Sequence, residues 1–257
     1  MADEKAYILA EMSWPEVKEA LPNVKLAIIA TGSFEQHGPN LALQADTAEA
    51  YGFSKLLGAR LYPKAVVAPP VNMGISYHHM NFPGTITLRH ETFEAILYDM
   101  VKSLKKHGIN NFFLCNGHGG NQNILAVIAV KLREELGANV VTAGYYAFAP
   151  EVVSEGVKTE RWGHACEMEV SLAMYLCPEI VKREKLEKGA LKPLAFTSLS
   201  PDLTRNLSRL SYFDELTANG ALGDATYASR EFGQAMVEKA LERLTAFLEE
   251  FIEKSRG

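Results

Sequence analysis

Leu26-Ala27-Ile28-Ile29-Ala30-Thr31 is an unbroken apolar run, and Gly32-Ser33-Phe34-Glu35-Gln36-His37-Gly38-Pro39 follows it at once. A run of strand length without polar alternation suits a strand covered on both faces, the habit of parallel sheets. The same pattern recurs at residues 65–70, 111–116 and 139–146. Between these runs, residues 47–61, 91–107 and 121–136 repeat their apolar positions with helical period, and the last stretch stops at Gly137. Alternating strands and helices predict βαβ units, hence an α/β fold with a mostly parallel sheet flanked by helices, in one domain over residues 1–257. Further helices are expected over about 167–176, before Pro178, and over about 227–254. Residues 191–224, rich in Ser, Leu, Asn and Pro, read as a long excursion of the kind that serves function or assembly.

Composition narrows the partners. Of 257 residues 47% are hydrophobic and 22% charged, close to the averages of globular chains, and no stretch approaches a membrane span. A net charge of −5 gives no long-range attraction for phosphate backbones, so neither nucleic acid nor membrane is expected. The acidic start lacks the basic and apolar regions of a secretory signal, which makes the cytoplasm the expected compartment. Three cysteines, Cys115, Cys166 and Cys177, form no CxxC pair and read as buried thiols.

Three strand-to-helix junctions carry the chemistry. After the first run, Glu35 and His37 stand two apart, so in extended backbone their side chains point the same way while Gln36 points aside; Asp46 follows. Ligands in open parallel sheets bind beyond the carboxyl ends of strands, where these residues fall. The third run ends in Asn116-Gly117-His118-Gly119-Gly120-Asn121, which matches no phosphate-loop pattern and has no lysine. A histidine framed by glycines suits a metal or oxyanion site better. The last junction is Trp162-Gly163-His164-Ala165-Cys166-Glu167-Met168-Glu169. Its carboxylates could simply complement a helix dipole. Taken together, imidazoles and carboxylates from three junctions match the N/O donor set of Zn²⁺, Mn²⁺ or Fe²⁺.

In order, Gly32 to Pro39, Asp46, Asn81-Phe82-Pro83-Gly84-Thr85-Ile86-Thr87-Leu88, Asn116 to Asn121 and His164 to Glu169 resemble the motifs of the creatininase (creatinine amidohydrolase) superfamily, over the chain from about Trp14 to the final helix. The resemblance implies an α/β fold, one or two divalent metals per chain (Zn, Mn or Fe), hydrolysis of an amide-type bond and, in many members, a hexamer. It places Glu35, Asp46 and His118 on one metal and His37, Asp46 and a further glutamate on the other, with Asp46 bridging. That glutamate is expected to be Glu169, with Glu167 in reserve and grouped with His164 as catalytic. Two such ions would activate a water near neutral pH and polarise the carbonyl, with His164 carrying the proton to the leaving nitrogen. His78 and His79 precede the Phe-Pro-Gly turn, where both could touch substrate, and His78, Tyr146 and Trp162 are the expected substrate contacts.

Departures from the family pattern bear on that substrate. Gly119 and Gly120 stand where creatininases place Tyr and Glu, Asn40 where many relatives have His, and Val170 in place of Thr. The expected substrate is therefore a small cyclic amide, formamide or related carbonyl compound other than creatinine. Hydrolysis of a carbon–carbon bond in a cyclic diketone is the alternative within the superfamily, and metal or small-molecule binding without turnover is the alternative outside it.

Overall fold

The computed structural model describes residues 5–193 and 209–255. Five parallel strands run β1 (Tyr7–Ile8), β2 (Leu26–Thr31), β3 (Ala65–Val67), β4 (Asn111–Asn116) and β5 (Asn139–Gly144), in the spatial order β1-β3-β2-β4-β5. Every residue of β2, β3 and β4 is buried, as their unbroken apolar runs require. Side chains alternate across the sheet. Leu26, Ile28 and Phe113 pack with Phe53 and Leu57 of α2 (Ala45–Arg60) and with Val237, Leu241 and Leu244 of the terminal helix. Ala27, Ile29, Phe112 and Leu114 face the other way, onto Phe93, Leu97 and Val101 of α3 (His90–Lys106) and Leu125, Ile128 and Leu132 of α4 (Gln122–Leu136). Each fully buried side chain of this size contributes about 1.5–3 kcal/mol, so the sheet is clamped from both sides.

Among the described residues the remaining helices are α1 (Trp14–Ala20), α5 (Pro150–Gly156), α6 (Glu167–Leu176), α7 (Phe213–Leu216) and α8 (Arg230–Lys254). Among the described residues no helix is long and apolar enough to cross a membrane. Several boundaries differ from the sequence reading for local reasons. Pro69 and Pro70 lack ladder donors, and β3 stops at Val67. β5 stops at Gly144 because Tyr145 turns into the core to stack on Phe53, with ring centroids 4.5 Å apart. The terminal helix starts at Arg230 rather than 227, since Ser229 caps it by accepting the Phe232 N–H at 3.1 Å. The helix ending at Gly137 is as expected, that glycine taking φ 61°. Of the excursion expected over 191–224, residues 194–208 lie outside the described residues.

β2 is flanked by β3 on one side and β4 on the other, so the chain reverses its direction of winding there. The crevice beyond the carboxyl ends of β2 and β4 is the topological switch point, where open α/β sheets bind ligands.

Candidate metal centre

Register brings Thr31, Asn116 and Gly144 level at one edge of the sheet, and the loops beyond them build the centre. Gly117 lets the β4 loop settle on the start of α2: a Cβ there would lie 2.3 Å from the Asp46 carbonyl oxygen. The result is a knot of ionisable groups, Glu35, His37, Asp46, His79, His118 and His164, each 5% exposed or less. A cleft of about 580 Å³ opens over it.

Two imidazoles in this knot have their proton positions set by backbone. His37 Nδ1 lies 3.1 Å from the Glu35 carbonyl oxygen, and His118 Nε2 lies 3.1 Å from that of Ile75. A carbonyl only accepts, so those nitrogens carry hydrogen. The other nitrogens, His37 Nε2 and His118 Nδ1, then aim at Asp46 Oδ1 (3.1 Å) and Oδ2 (3.0 Å). A lone pair facing a carboxylate at this distance requires a positive charge between them. In the metal-free protein that charge is a proton. Burial pulls both imidazoles down, but Asp46 outweighs it at His37, raising it to about 10, and Glu35 with Asp46 raises His118 to about 9. Asp46, despite burial, is held well below the usual carboxylate range by the same two histidines. An imidazole anchored through one nitrogen to a backbone carbonyl, with the other aimed at a carboxylate, is the arrangement of a metal ligand and its outer support. Glu35 Oε2 is buried and accepts no hydrogen bond, although His118 Nε2, whose hydrogen goes to the Ile75 carbonyl, lies 3.2 Å away; it supplies a third donor. The residues present therefore fit a divalent cation, and Glu35, His37 and Asp46 bring ligand atoms within 4.8 Å of one another.

His164 donates through Nε2 to the Gln36 carbonyl at 2.7 Å, leaving Nδ1 free and facing Glu35 Oε1 (3.9 Å) and Glu169 Oε2 (4.0 Å). Burial, together with the charge of His37, holds it well below an ordinary imidazole, and so neutral. Glu169 looks into the same space, with a carboxyl pushed up by burial to about 7. The backbone N–H of Ala165 donates to it from a residue at φ 49°, a conformation non-glycine residues rarely take and one concentrated at functional sites. His37, His164 and Glu169 form a further group of converging donors.

Glu167, expected as a catalytic group, is placed elsewhere. Its oxygens accept the backbone N–H groups of Lys158 (3.2 Å), Thr159 (2.9 Å) and Asp224 (3.0 Å), tying two loops to the start of α6. Those bonds hold its carboxyl below the usual range against the effect of burial, and it does not line the cleft. The correction has a simple cause: on a helix, residues two apart point about 200° apart, so Glu167 and Glu169 cannot both face the cleft. His78, Tyr146 and Trp162 do line it, joined by Val153, Met168 and Phe213. One contributor, Phe213, escaped the sequence reading, and another, His79, reads from sequence only as a substrate contact. His79, set beside His78 in a polar loop, is 1% exposed and sits 3.2 Å from Glu35 Oε1. Phe213 stacks on the His79 ring at 4.1 Å; its place within the weakly periodic excursion offered no local signal.

The Creatininase (creatinine amidohydrolase) family profile matches residues 10–248. The chain is 33% identical over 215 residues to the mycofactocin precursor peptide peptidase of Mycolicibacterium smegmatis, covering 82% of this chain and 79% of that protein. It is 27% identical to the 3-dehydro-scyllo-inosose hydrolase of Thermotoga maritima, covering 95% and 83%. Among solved structures, a creatininase in its Mn form superposes with a TM-score of 0.78 at 24% identity, over 96% of this chain and 99% of that one.

Proposed function

We propose that this chain, which belongs to the creatininase family, is a metal-dependent hydrolase that cleaves a carbon–nitrogen bond in an amide substrate other than creatinine. The observation that carries this reading is the convergence of the His37 Nε2 and His118 Nδ1 lone pairs on Asp46, with Glu35 bringing a ligand atom within 4.8 Å of those of His37 and Asp46. Glu35, Asp46 and His118 would hold one ion and His37, Asp46 and Glu169 a second, Zn²⁺, Mn²⁺ or Fe²⁺ suiting these donors. Such ions supply an activated water and a polarised carbonyl.

The protein's own groups do the rest. His164 Nδ1, neutral and free, takes a proton from the attacking water and passes it to the leaving nitrogen, while Nε2 stays anchored on Gln36. Glu169 Oε2, 4.0 Å from Nδ1, steadies the imidazolium formed between the two transfers. Tyr146, Trp162 and Phe213 give the cleft apolar walls that exclude water. A volume of 580 Å³ falls within the range of about 300–1,000 Å³ that encloses a drug-sized ligand, and exceeds what one small ring fills. The favoured substrates are thus formamides, cyclic amides or peptide-type amides bearing an apolar group, the last in keeping with the peptide peptidase relative.

The test is elemental analysis of the purified protein, then a panel of amides assayed with the metal-reconstituted enzyme. The expected result is one to two equivalents of transition metal and turnover of an amide, with creatinine kcat/KM far below the ~10⁴ to 10⁸ M⁻¹s⁻¹ usual for an enzyme's own substrate. Absence of tightly held metal before and after reconstitution would refute the reading. The relative named as an inosose hydrolase favours a second reading, carbon–carbon cleavage in a cyclic diketone, which product analysis separates from amide cleavage. A hexamer is proposed for the assembly, and a solution mass near the monomer's 28.3 kDa would exclude it.

A further inference from the structure

Gln36 lies in sequence between two residues of the centre, is only 5% exposed, and sets its side chain beside His79 and His164. Its amide is fixed by two backbone groups. Oε1 accepts the Gly38 N–H at 2.8 Å, and Nε2 donates to the Gly220 carbonyl at 3.0 Å. A flipped amide would set oxygen against oxygen and N–H against N–H, so its orientation is decided. Both glycines hold positive φ, 55° and 84°, and a Cβ on Gly220 would come within 2.0 Å of Gln36 Oε1. The grip leaves one amide hydrogen, and 2.7 Å from Nε2 is His79 Nδ1. That ring nitrogen must accept. His79 therefore carries its hydrogen on Nε2, which donates to Glu35 Oε1 at 3.2 Å. On the main-chain side, the Gln36 carbonyl accepts from His164 Nε2 and so turns His164 Nδ1 toward the cleft. The amide has no hydrogen left for His164, whose Nε2 lies 3.1 Å from Gln36 Nε2 without bonding it.

We propose that Gln36 is a positioning residue: its side chain fixes the tautomer of His79, its carbonyl fixes that of His164, and through His79 it engages Glu35 Oε1 and reserves Oε2 for a metal ion. The last part rests on the metal-dependent reading above; the tautomers do not. The carbonyl survives any substitution, so the side-chain role is the part that mutation isolates.

The experiment is ¹⁵N NMR of protein labelled at histidine, metal-free and zinc-loaded, with zinc affinity measured by chelator competition. His79 and His164 are assigned by their own substitutions. In the wild type both should carry hydrogen on Nε2. In Gln36→Glu, whose carboxylate can only accept from His79, the ring should carry hydrogen on Nδ1 as well as on Nε2, which Glu35 Oε1 still holds; in Gln36→Met, which offers neither donor nor acceptor, Glu35 alone holds Nε2–H and the Nδ1 signal should lose the shift of a hydrogen-bonded acceptor. His164 should keep its tautomer in each. Zinc affinity should fall about 10- to 100-fold in both variants, the usual cost of losing a ligand's outer partner. His79→Gln, which still offers Glu35 an N–H, should retain affinity that His79→Leu loses. An unchanged His79 Nδ1 signal in Gln36→Met and Gln36→Glu, with zinc affinity unchanged, would overturn the proposal. If Gln36→Met fails to fold, Gln36→Glu, the same size and shape, decides it alone. Wild-type protein that binds no zinc would sink the metal-dependent reading and the reservation of Oε2, whereas hydrogen gained on His79 Nδ1 in Gln36→Glu would still establish the clamp.

Discussion

The two ends of the sheet bury polar side chains in different ways. At the amino-terminal end Asn111 Nδ2 donates to the Lys25 carbonyl and Asn139 Nδ2 to Asn111 Oδ1, each at 2.9 Å. These are neutral amides whose hydrogens meet oxygens, and they tie β2, β4 and β5 together. At the carboxyl-terminal end amides again form the frame: Asn121 Nδ2 donates to the Gly32 carbonyl at 2.9 Å, and Asn116 Nδ2 to that of His118 at 2.7 Å. Within that frame, however, lone pairs face a carboxylate and a buried glutamate oxygen accepts no hydrogen bond. Buried polar groups that satisfy one another are structural; buried groups that satisfy one another only with a cation between them mark where the protein binds something.

The contrast is most exposed to failure at Asp46. Asp46→Ala should remove tightly held metal and lower hydrolysis at least about 10³-fold, about 4 kcal/mol of transition-state stabilisation. Elemental analysis and rates on the amide found in the panel check this; full occupancy and rate would erase the distinction between the two ends.

Next in size is a pH effect confined to the carboxyl end. With His37 raised to about 10 and His118 to about 9, metal must displace up to two protons at neutral pH. Affinity should then rise 10- to 100-fold per unit between about pH 6 and 8, and calorimetry in buffers of different ionisation enthalpy should detect the released protons. The sign for stability follows from the same shifts. Folded-state pKa values above the unfolded ~6.5 mean that the stabilisation is complete below that pH and is lost as pH climbs through about 9 to 10. Metal-free protein should melt progressively lower across that alkaline window. A flat profile would deny that protons stand where metal belongs.

Glu167 and Glu169 repeat the contrast within one helical turn. Glu167→Gln should keep its metal but cost about 1–3 kcal/mol, since an amide presents N–H to backbone N–H, with Tm falling by about 2–4 °C per kcal/mol at this size. Glu169→Gln should do the reverse, lowering metal content and rate while Tm stays nearly constant. Identical outcomes for the two would mean that the cleft does not separate their roles. The smallest effect is expected at the amino-terminal end: Asn111→Ala should cost about 1–2 kcal/mol in denaturant unfolding and leave metal content and kinetics unchanged.

Much of this protein was determined by its sequence alone. The runs at Leu26 and Asn111 specified buried parallel strands because alternation is absent only when both faces are covered, and Gly137 specified a helix end because its backbone position takes positive φ. Glu35, His37 and His118 were legible as donors because they follow such strands directly. Tertiary structure decided what depends on neighbours distant in sequence. Glu167 and Glu169 are chemically alike, and only the packing of α6 against loops 158–159 and 224 assigns one to backbone and the other to the cleft. His79 reads from sequence as a substrate contact beside His78, and only the closing of Gln36 and Glu35, more than 40 residues earlier, gives it its place against the metal centre. The physical reason is one of range. Periodicity and backbone preference act over a few residues and leave their trace in composition, whereas the desolvation and charge that give a histidine its role come from groups the fold brings together.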